Sequence, residues 1–332
     1  MNARWLPRLV DLSDRIRVAA RKALLDAVEQ GSLAPLARVA GEGAGDVTYG
    51  IDVPTEEVLT EWLLEQSRAE PLSILTEDAG WRHRGPEGDL PGFDHGGPRI
   101  SVDPIDGTRM LMSDLRPAWS VIGLAGPGGG APRLSDVVVG VLSEIPDSRA
   151  AHYRRLVAER GQGCRSEERE LGDGRVVRTR TLDTGTDARV DHGLFPFFRY
   201  MPDQRPEIAA IEAAFFARLA AHEGADVRAC WDDQYVSNGG QLALLALGTY
   251  RMIADLRASV AARHARTTLT GKPYDISGAV LCAQEAGCVV TAVDGSPLDF
   301  PLDAETPVGF VGWANAATSE RLGSHLAMAL VR

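Results

Sequence analysis

Apolar residues recur at three- and four-residue spacing from about residue 4 to residue 30. Leu9, Leu12, Ile16, Ala19, Ala20, Ala23, Leu24, Ala27 and Val28 share one side of a 3.6-residue repeat, and Gly31 can end it. This predicts a long amphipathic helix. Residues 41–45 read as a flexible glycine-rich loop. A second helix is predicted from Pro54 to about Arg68, with Val58, Leu59, Trp62 and Leu63 on one face. Proline suits its first turn, where the N–H it lacks would have no partner. The repeat then shortens. Apolar runs at 72–75, 99–102, 118–125, 137–142, 151–158 and 176–182 predict strands, with Gly- and Pro-rich loops over 80–98 and 126–132. Further on, the pattern predicts helices at 207–220, 241–247, 275–286 and 315–330, with strands at 227–230, 250–255, 288–292 and 308–312. Hairpin-like strand pairs in the first half and alternating helices and strands in the second imply α/β (α+β) layers around mixed sheets rather than a purely parallel wind.

Composition narrows the class without changing that picture. The chain has 332 residues, 44% apolar and 24% charged, enough for one large domain (1–332) or two lobes, 1–185 and 186–332. Its net charge of −11 argues against a nucleic-acid partner. An acidic protein can still take an anionic small molecule if bound cations reverse the local field. The longest apolar run, Leu242 to Leu247, has six residues, far short of the ~20 that span a bilayer. Met1 to Asp14 holds no signal-peptide core, so a cytoplasmic location without membrane attachment is expected. The four cysteines form no CxxC and read as free, buried thiols in a reducing compartment.

The candidate chemistry lies in Asp103-Pro-Ile-Asp106-Gly-Thr108, which follows an apolar strand. A proline turn at a strand end sets two carboxylates on one side of a tight bend, an arrangement suited to hard divalent cations. Two such ions about 3.5–4 Å apart require a carboxylate that bridges them. Gly107 allows close backbone approach, and Gly107 and Thr108 can offer N–H groups to a phosphate. Phosphatases with an aspartyl nucleophile carry carboxylates two apart; here the spacing is three, which points to metal ligands and a water nucleophile. Thr76-Glu77-Asp78 follows an upstream strand, Asp52 lies in the region between the first two helices, and Pro273-Tyr-Asp275-Ile-Ser-Gly-Ala279 opens a late helix. Histidine pairs at zinc-ligand spacing, a G-x-S-x-G elbow and a complete P-loop are all absent from the sequence.

In this order the motifs resemble the inositol monophosphatase family of lithium-sensitive, magnesium-dependent phosphatases, from about residue 10 to residue 315. Ala158-Glu-Arg-Gly-Gln-Gly-Cys164 is similar to the family's glycine-rich hairpin, and Ala279 to Gly287 to the helix after its second metal motif. The resemblance implies a layered αβαβα sandwich, often a homodimer, and hydrolysis of a small phosphorylated metabolite with two or three Mg²⁺ ions per site. It further implies that Glu77, Asp103 and the Ile105 carbonyl hold a first ion; that Asp103, Asp106 and Asp275 hold a second; and that Glu77, through waters, serves a third. Asp52 with Thr108 would orient and deprotonate the attacking water, while Gly107 and Thr108 would bind phosphate.

This chain departs from the family where Arg109-Met110 follow the first motif, and again on the substrate side. Inositol-specific relatives place a carboxylate shortly before the second-motif aspartate. Here residues 256–274 hold no acid but carry Arg257, Arg263, His264, Arg266 and Lys272. The stretch reads either as a solvated basic loop or as a subsite in which Arg257, Arg266 and Lys272 bind a second anionic group. The substrate is therefore expected among inositol phosphates, sugar phosphates and related esters. A non-catalytic, metal-binding relative with a regulatory or partner-binding role is the alternative, disfavoured because so many like charges are costly to gather without a reaction to serve.

Overall fold

The site is carried by a frame of antiparallel strands clamped between helices. The computed structural model describes residues 2–42, 47–266 and 268–331. Helix α1 (Asn2–Glu29) buries the predicted stripe of Leu9, Leu12, Ile16, Ala20 and Leu24 together with Trp5. It packs on α2 (Val53–Ser67), where Trp5 meets Trp62 edge to face at 6.3 Å. Between them β1 (Val39–Glu42) and β2 (Val47–Tyr49) pair antiparallel. The loop expected at 41–45 is thus partly strand, at Gly41 and Glu42, and its remainder lies outside the described residues.

Next come β3 (Leu72–Thr76), β4 (Gly80–Gly85), β5 (Gly88–Asp89), β6 (Arg99–Asp106), the short helix α3 (Thr108–Leu111), β7 (Ala118–Ala125), β8 (Val137–Ile145), β9 (His152–Glu159), β10 (Cys164–Glu170) and β11 (Val176–Thr181). These form one nine-stranded sheet in the order β11, β10, β9, β8, β7, β6, β3, β4, β5. Only the β3–β6 pairing is parallel, so the sheet is mixed. The segment 80–98, expected as a surface loop, supplies a hairpin instead. Its Gly80 and Gly88 lie at turns with φ of 63° and 132°, while Trp81 packs edge-on against Phe93 and donates Nε1–H to the Leu302 carbonyl at 2.7 Å.

The second half contributes α4 (Arg205–Glu223), α5 (Asn238–Ala246), β12 (Met252–Asp255), α6 (Arg257–Arg263), α7 (Pro273–Glu285), β13 (Val289–Thr291), β14 (Phe310–Trp313) and α8 (Ala316–Leu330). Strands β12, β14 and β13 make a three-stranded antiparallel sheet in that order. The strand expected at 227–230 is a 3-10 turn over Val227–Ala229, because the Asp226 carboxylate accepts from Arg228 N and caps it. Helices α1 and α2 cover one face of the large sheet; α5 and α7 fill the layer between the sheets; α4 and α8 cover the far side of the small one. The result is the layered αβαβα sandwich. Cys164, Cys282 and Cys288 are buried free thiols and Cys230 is half-buried. Among the described residues, no helix is long and apolar enough to cross a membrane.

The approach of α7 to the large sheet sets where its N-terminal turn points, and glycines permit that approach. A Cβ on Gly278 would stand 2.0 Å from the Ile122 carbonyl oxygen, and one on Gly140 would stand 2.4 Å from the Gly278 carbonyl oxygen. Gly278→Ala is therefore expected to lower stability by about 1–3 kcal/mol in a denaturant titration. An unchanged midpoint would mean that α7 can slide away from β7 at no cost.

Candidate active site

Residues three apart on a regular strand face opposite ways, yet Asp103 and Asp106 share one face of β6. The pairing with β7 shows how. Asp103 lies opposite Val121 and Asp106 opposite Trp119, so two residues on β6, Pro104 and Ile105, are matched to one on β7, Ser120. This bulge inserts one residue and restores the side-chain direction. Pro104, which has no N–H for a ladder, sits inside it. Both carboxylates then face the middle layer, 4% and 8% exposed. Glu77 follows β3, the parallel neighbour of β6, and opens into the same cleft. Gly107 takes φ 101°, and a Cβ there would come within 3.1 Å of Ser237 Cβ. It turns the chain into α3, which begins at Thr108.

Backbone donors hold these acids. Asp103 Oδ1 accepts from Ile105 N at 2.9 Å. Asp275, in the first turn of α7, accepts from Lys272 N at 2.9 Å through Oδ2. Asp106 meets the N-terminus of α5: Oδ2 accepts from Ser237 Oγ at 2.7 Å, Gly239 N at 2.6 Å and Gly240 N at 3.3 Å, while Oδ1 accepts from Asn238 N at 3.2 Å. An anion at a helix N-terminus is favourably placed. Burial, and then the neighbouring Asp106, Asp275 and Glu77, push the Asp103 carboxyl well above its ordinary range. Burial raises Asp106 to about 6 against its four donors.

On the other side, Asp52 stands at the N-terminus of α2. Its Oδ2 accepts from Tyr49 N at 2.8 Å, and Thr108 Oγ1 lies 3.4 Å from Oδ1. The Thr108 hydroxyl donates to the Ile105 carbonyl at 2.7 Å, the shorter of its two contacts. Thr48 Oγ1 ties β2 to Asp78 Oδ1 at 2.7 Å. One turn along α2, Glu56 joins this acidic group. Burial is the largest cause lifting Asp52 and Glu56 to about 7 each, with Asp78 adding to both. The Arg109 guanidinium lies 5.6 Å from the centre of the Tyr49 ring.

The structure thus brings Glu77, Asp103, Ile105, Asp106, Gly107, Thr108 and Asp275 into one cleft, with Asp52 at hydrogen-bonding range of Thr108. Among the described residues, however, no three His, Cys, Asp or Glu side chains converge on one point as they stand. The basic stretch divides. Arg257 and Lys272 line the cleft, whereas Arg266 does not; it reaches the Asp203 carbonyl at 3.4 Å. Nor is 256–274 simply a solvated loop, since α6 opens it and Arg257 is buried beside Asp255. Lys272 Nζ donates to the Glu305 carbonyl at 2.8 Å. Sequence reasoning missed Glu56, Phe198, Tyr200 and the Ser237–Gly240 turn. Only the last carried a local signal, a Ser-Asn-Gly-Gly before an apolar run.

The sequence model described as the inositol monophosphatase family matches residues 12–318. A fructose-1,6-bisphosphatase/inositol-1-monophosphatase of Methanothermobacter thermautotrophicus is 24% identical over 281 residues, 84% of this chain and 82% of the relative. A fructose-1,6-bisphosphatase of Leishmania major, crystallised in holo form, superposes with TM-score 0.67 at 12% identity, covering 98% of this chain and 93% of that one. An inositol monophosphatase from Anabaena (Nostoc) sp. PCC 7120 gives 0.57 at 19% identity, with 98% and 96% covered.

Raised carboxyl pKa values make the metal-free fold bind more protons than the unfolded chain. Asp52 and Glu56, at about 7, with Asp103 also raised, should therefore make the metal-free protein gain stability as pH falls from about 8 to about 6.5. Below that window, His83 and His95, whose pKa values burial lowers, oppose the gain. Thermal midpoints measured in chelator across pH 8 to 6.5 should rise as acid is added; a fall would contradict the clustering of these acids.

Proposed function

This chain belongs to the inositol monophosphatase family, a family of metal-dependent phosphatases, and from that premise we propose that it hydrolyses a small phosphate monoester with Mg²⁺. The observation that carries the reading is the β6 bulge. It turns Asp103 and Asp106 to one face, toward Asp275 and Glu77, in a cleft lined by these four carboxylates and by no histidine or cysteine. Oxygen donors suit a hard cation, and Mg²⁺ retains waters and substrate oxygens in its shell, so it does not need three converged carboxylates. Glu77, Asp103 and the Ile105 carbonyl would hold one ion, and Asp103, Asp106 and Asp275 another. Magnesium bound there supplies neutralisation of the ester dianion, a more acidic water and a partner for the leaving oxygen.

The chain's own residues do the rest. The Gly107 and Thr108 N–H groups, at the turn into α3, receive a phosphate oxygen. Thr108 orients the attacking water, and Asp52, half-buried beside it, takes its proton; a carboxyl lifted to about 7 by burial suits a base working near neutrality. Phe198, Tyr200 and Lys272 also line the cleft, and we assign them to the leaving-group side. Esters of inositol and of phosphorylated sugars fit that description, the latter placing a second charge toward Lys272.

Phosphate release should require Mg²⁺ and be suppressed by Li⁺. Asp103→Asn and Asp275→Asn should each lower turnover by orders of magnitude while the circular-dichroism spectrum stays native. Wild-type rates in either variant would remove the assignment. A panel pairing inositol 1-phosphate with fructose 1,6-bisphosphate tests the second charge: Lys272→Ala should raise KM for the bisphosphate more than for the monophosphate. Equal shifts would exclude Lys272 as an anion contact.

A further inference from the structure

Asp255 ends β12 and Arg257 opens α6, and their side chains are 0% and 3% exposed. Arg257 donates through Nε to Asp255 Oδ1 at 2.9 Å and through Nη2 to Asp255 Oδ2 at 2.6 Å and Asn238 Oδ1 at 2.9 Å. Its Nη1 donates to the Tyr200 hydroxyl at 3.1 Å and the Leu269 carbonyl at 3.3 Å. A guanidinium has five N–H donors, and these five bonds occupy them all. Its plane is also covered, with Phe198 centred 4.2 Å away. Arg257 lines the cleft but keeps no donor for a ligand.

Asn238 completes the network. Its Oδ1 accepts from Arg257 and its Nδ2 donates to Asp255 Oδ2 at 2.9 Å, so both ends of the amide are held. Its backbone N–H, with those of Gly239 and Gly240, donates to Asp106. The two glycines are required there. A Cβ on Gly239 would stand 2.9 Å from Asp106 Oδ2 and 2.5 Å from Val121 Cγ2, and one on Gly240 would stand 2.5 Å from Ser237 Oγ. Paired glycines leave the first turn of a helix with high backbone freedom. A side-chain lock on the preceding residue removes it.

We propose that the Asp255–Arg257 pair is a positioning element, which fixes Asn238 and through it the first turn of α5, so that the Asp106 carboxylate is presented in one orientation to a cation. The proposal rests on reading Asp106 as a magnesium ligand. Three donors converge on Oδ2, whereas among the described residues Oδ1 receives only the 3.2 Å bond, and Oδ1 is the oxygen left with capacity for an ion. A buried ion pair contributes little to stability compared with apolar packing. Its role here is geometric, and Arg257 is not the receptor for a second substrate anion.

The test uses the full chain and two variants, Arg257→Lys, which cannot make the forked contacts, and Asn238→Ala, which keeps the ion pair and cuts its link to α5. Mg²⁺ binding is followed by calorimetry without substrate, and phosphate release from inositol 1-phosphate and fructose 1,6-bisphosphate is followed across Mg²⁺ concentration. Both variants are expected to weaken Mg²⁺ binding by about 10- to 100-fold, to raise the Mg²⁺ needed for half-maximal rate alike on both esters, and to leave ester KM at saturating Mg²⁺ near that of the wild type. If Arg257→Lys does not fold, Asn238→Ala decides. Wild-type Mg²⁺ binding in Asn238→Ala would overturn the proposal. So would an Arg257→Lys variant that binds Mg²⁺ normally and raises KM for the bisphosphate alone. A wild-type protein that binds no Mg²⁺ would overturn the reading of the site itself, and the proposal with it.

Discussion

Carboxylates repel one another, and a protein interior amplifies the repulsion because water is not there to screen it. In this fold Asp103 is buried beside Asp106, Asp275 and Glu77, with Asp52, Glu56 and Asp78 forming a second acidic group nearby. Backbone hydrogen bonds keep the first group in place: Ile105 N on Asp103, the α5 N-terminus on Asp106, and Lys272 N on Asp275. The rest of the architecture can be understood as the means of bringing those donors to those acids. The middle helical layer turns two N-termini toward the end of β6, and the glycine contacts of α7 with β7 and β8 hold one of them close.

The arrangement has a division of labour. Oxygens that face the backbone donors are bonded and fixed, and under the proposed function cation binding would fall to the others. That explains how a cluster of acids can be built yet not converge tightly on one point: Asp103, Asp106 and Asp275 are each anchored by backbone donors, not by one another. It also explains the burial of Arg257. A charge so close to the cleft suggests a substrate contact, yet its hydrogen bonds all run to protein groups, and its partners lead back to Asp106 rather than outward.

Much of this was legible in the sequence because it is local. The helical stripe of α1, the strands that became β7 and β8, and the carboxylates at Glu77, Asp103, Asp106 and Asp275 follow from spacing along the chain and from resemblance of motifs. What escaped depends on neighbours distant in sequence. Strand β10 reads Cys-Arg-Ser-Glu-Glu-Arg-Glu, too charged to signal a strand, and it holds because β9 and β11 flank it. The β4–β5 hairpin was hidden by turn residues and is fixed by Trp81 reaching Leu302. The stretch 256–274 contains no acid, so Arg257 looked unpaired; its counter-ion, Asp255, lies one residue before that stretch. The donors to Asp106 arrive from residues more than 130 positions away, beyond any local pattern.

The bulge in β6 makes chain length, as well as side-chain identity, a fragile property of residues 103–106. Strand geometry counts in parity, and one residue added or removed there would rotate everything beyond it by half a turn of the pleat. Asp106 would then point toward α1 instead of α5, and Gly107 and Thr108 would leave the cleft together with it. An insertion of a single codon would separate the two halves of the site while leaving every chemical group present.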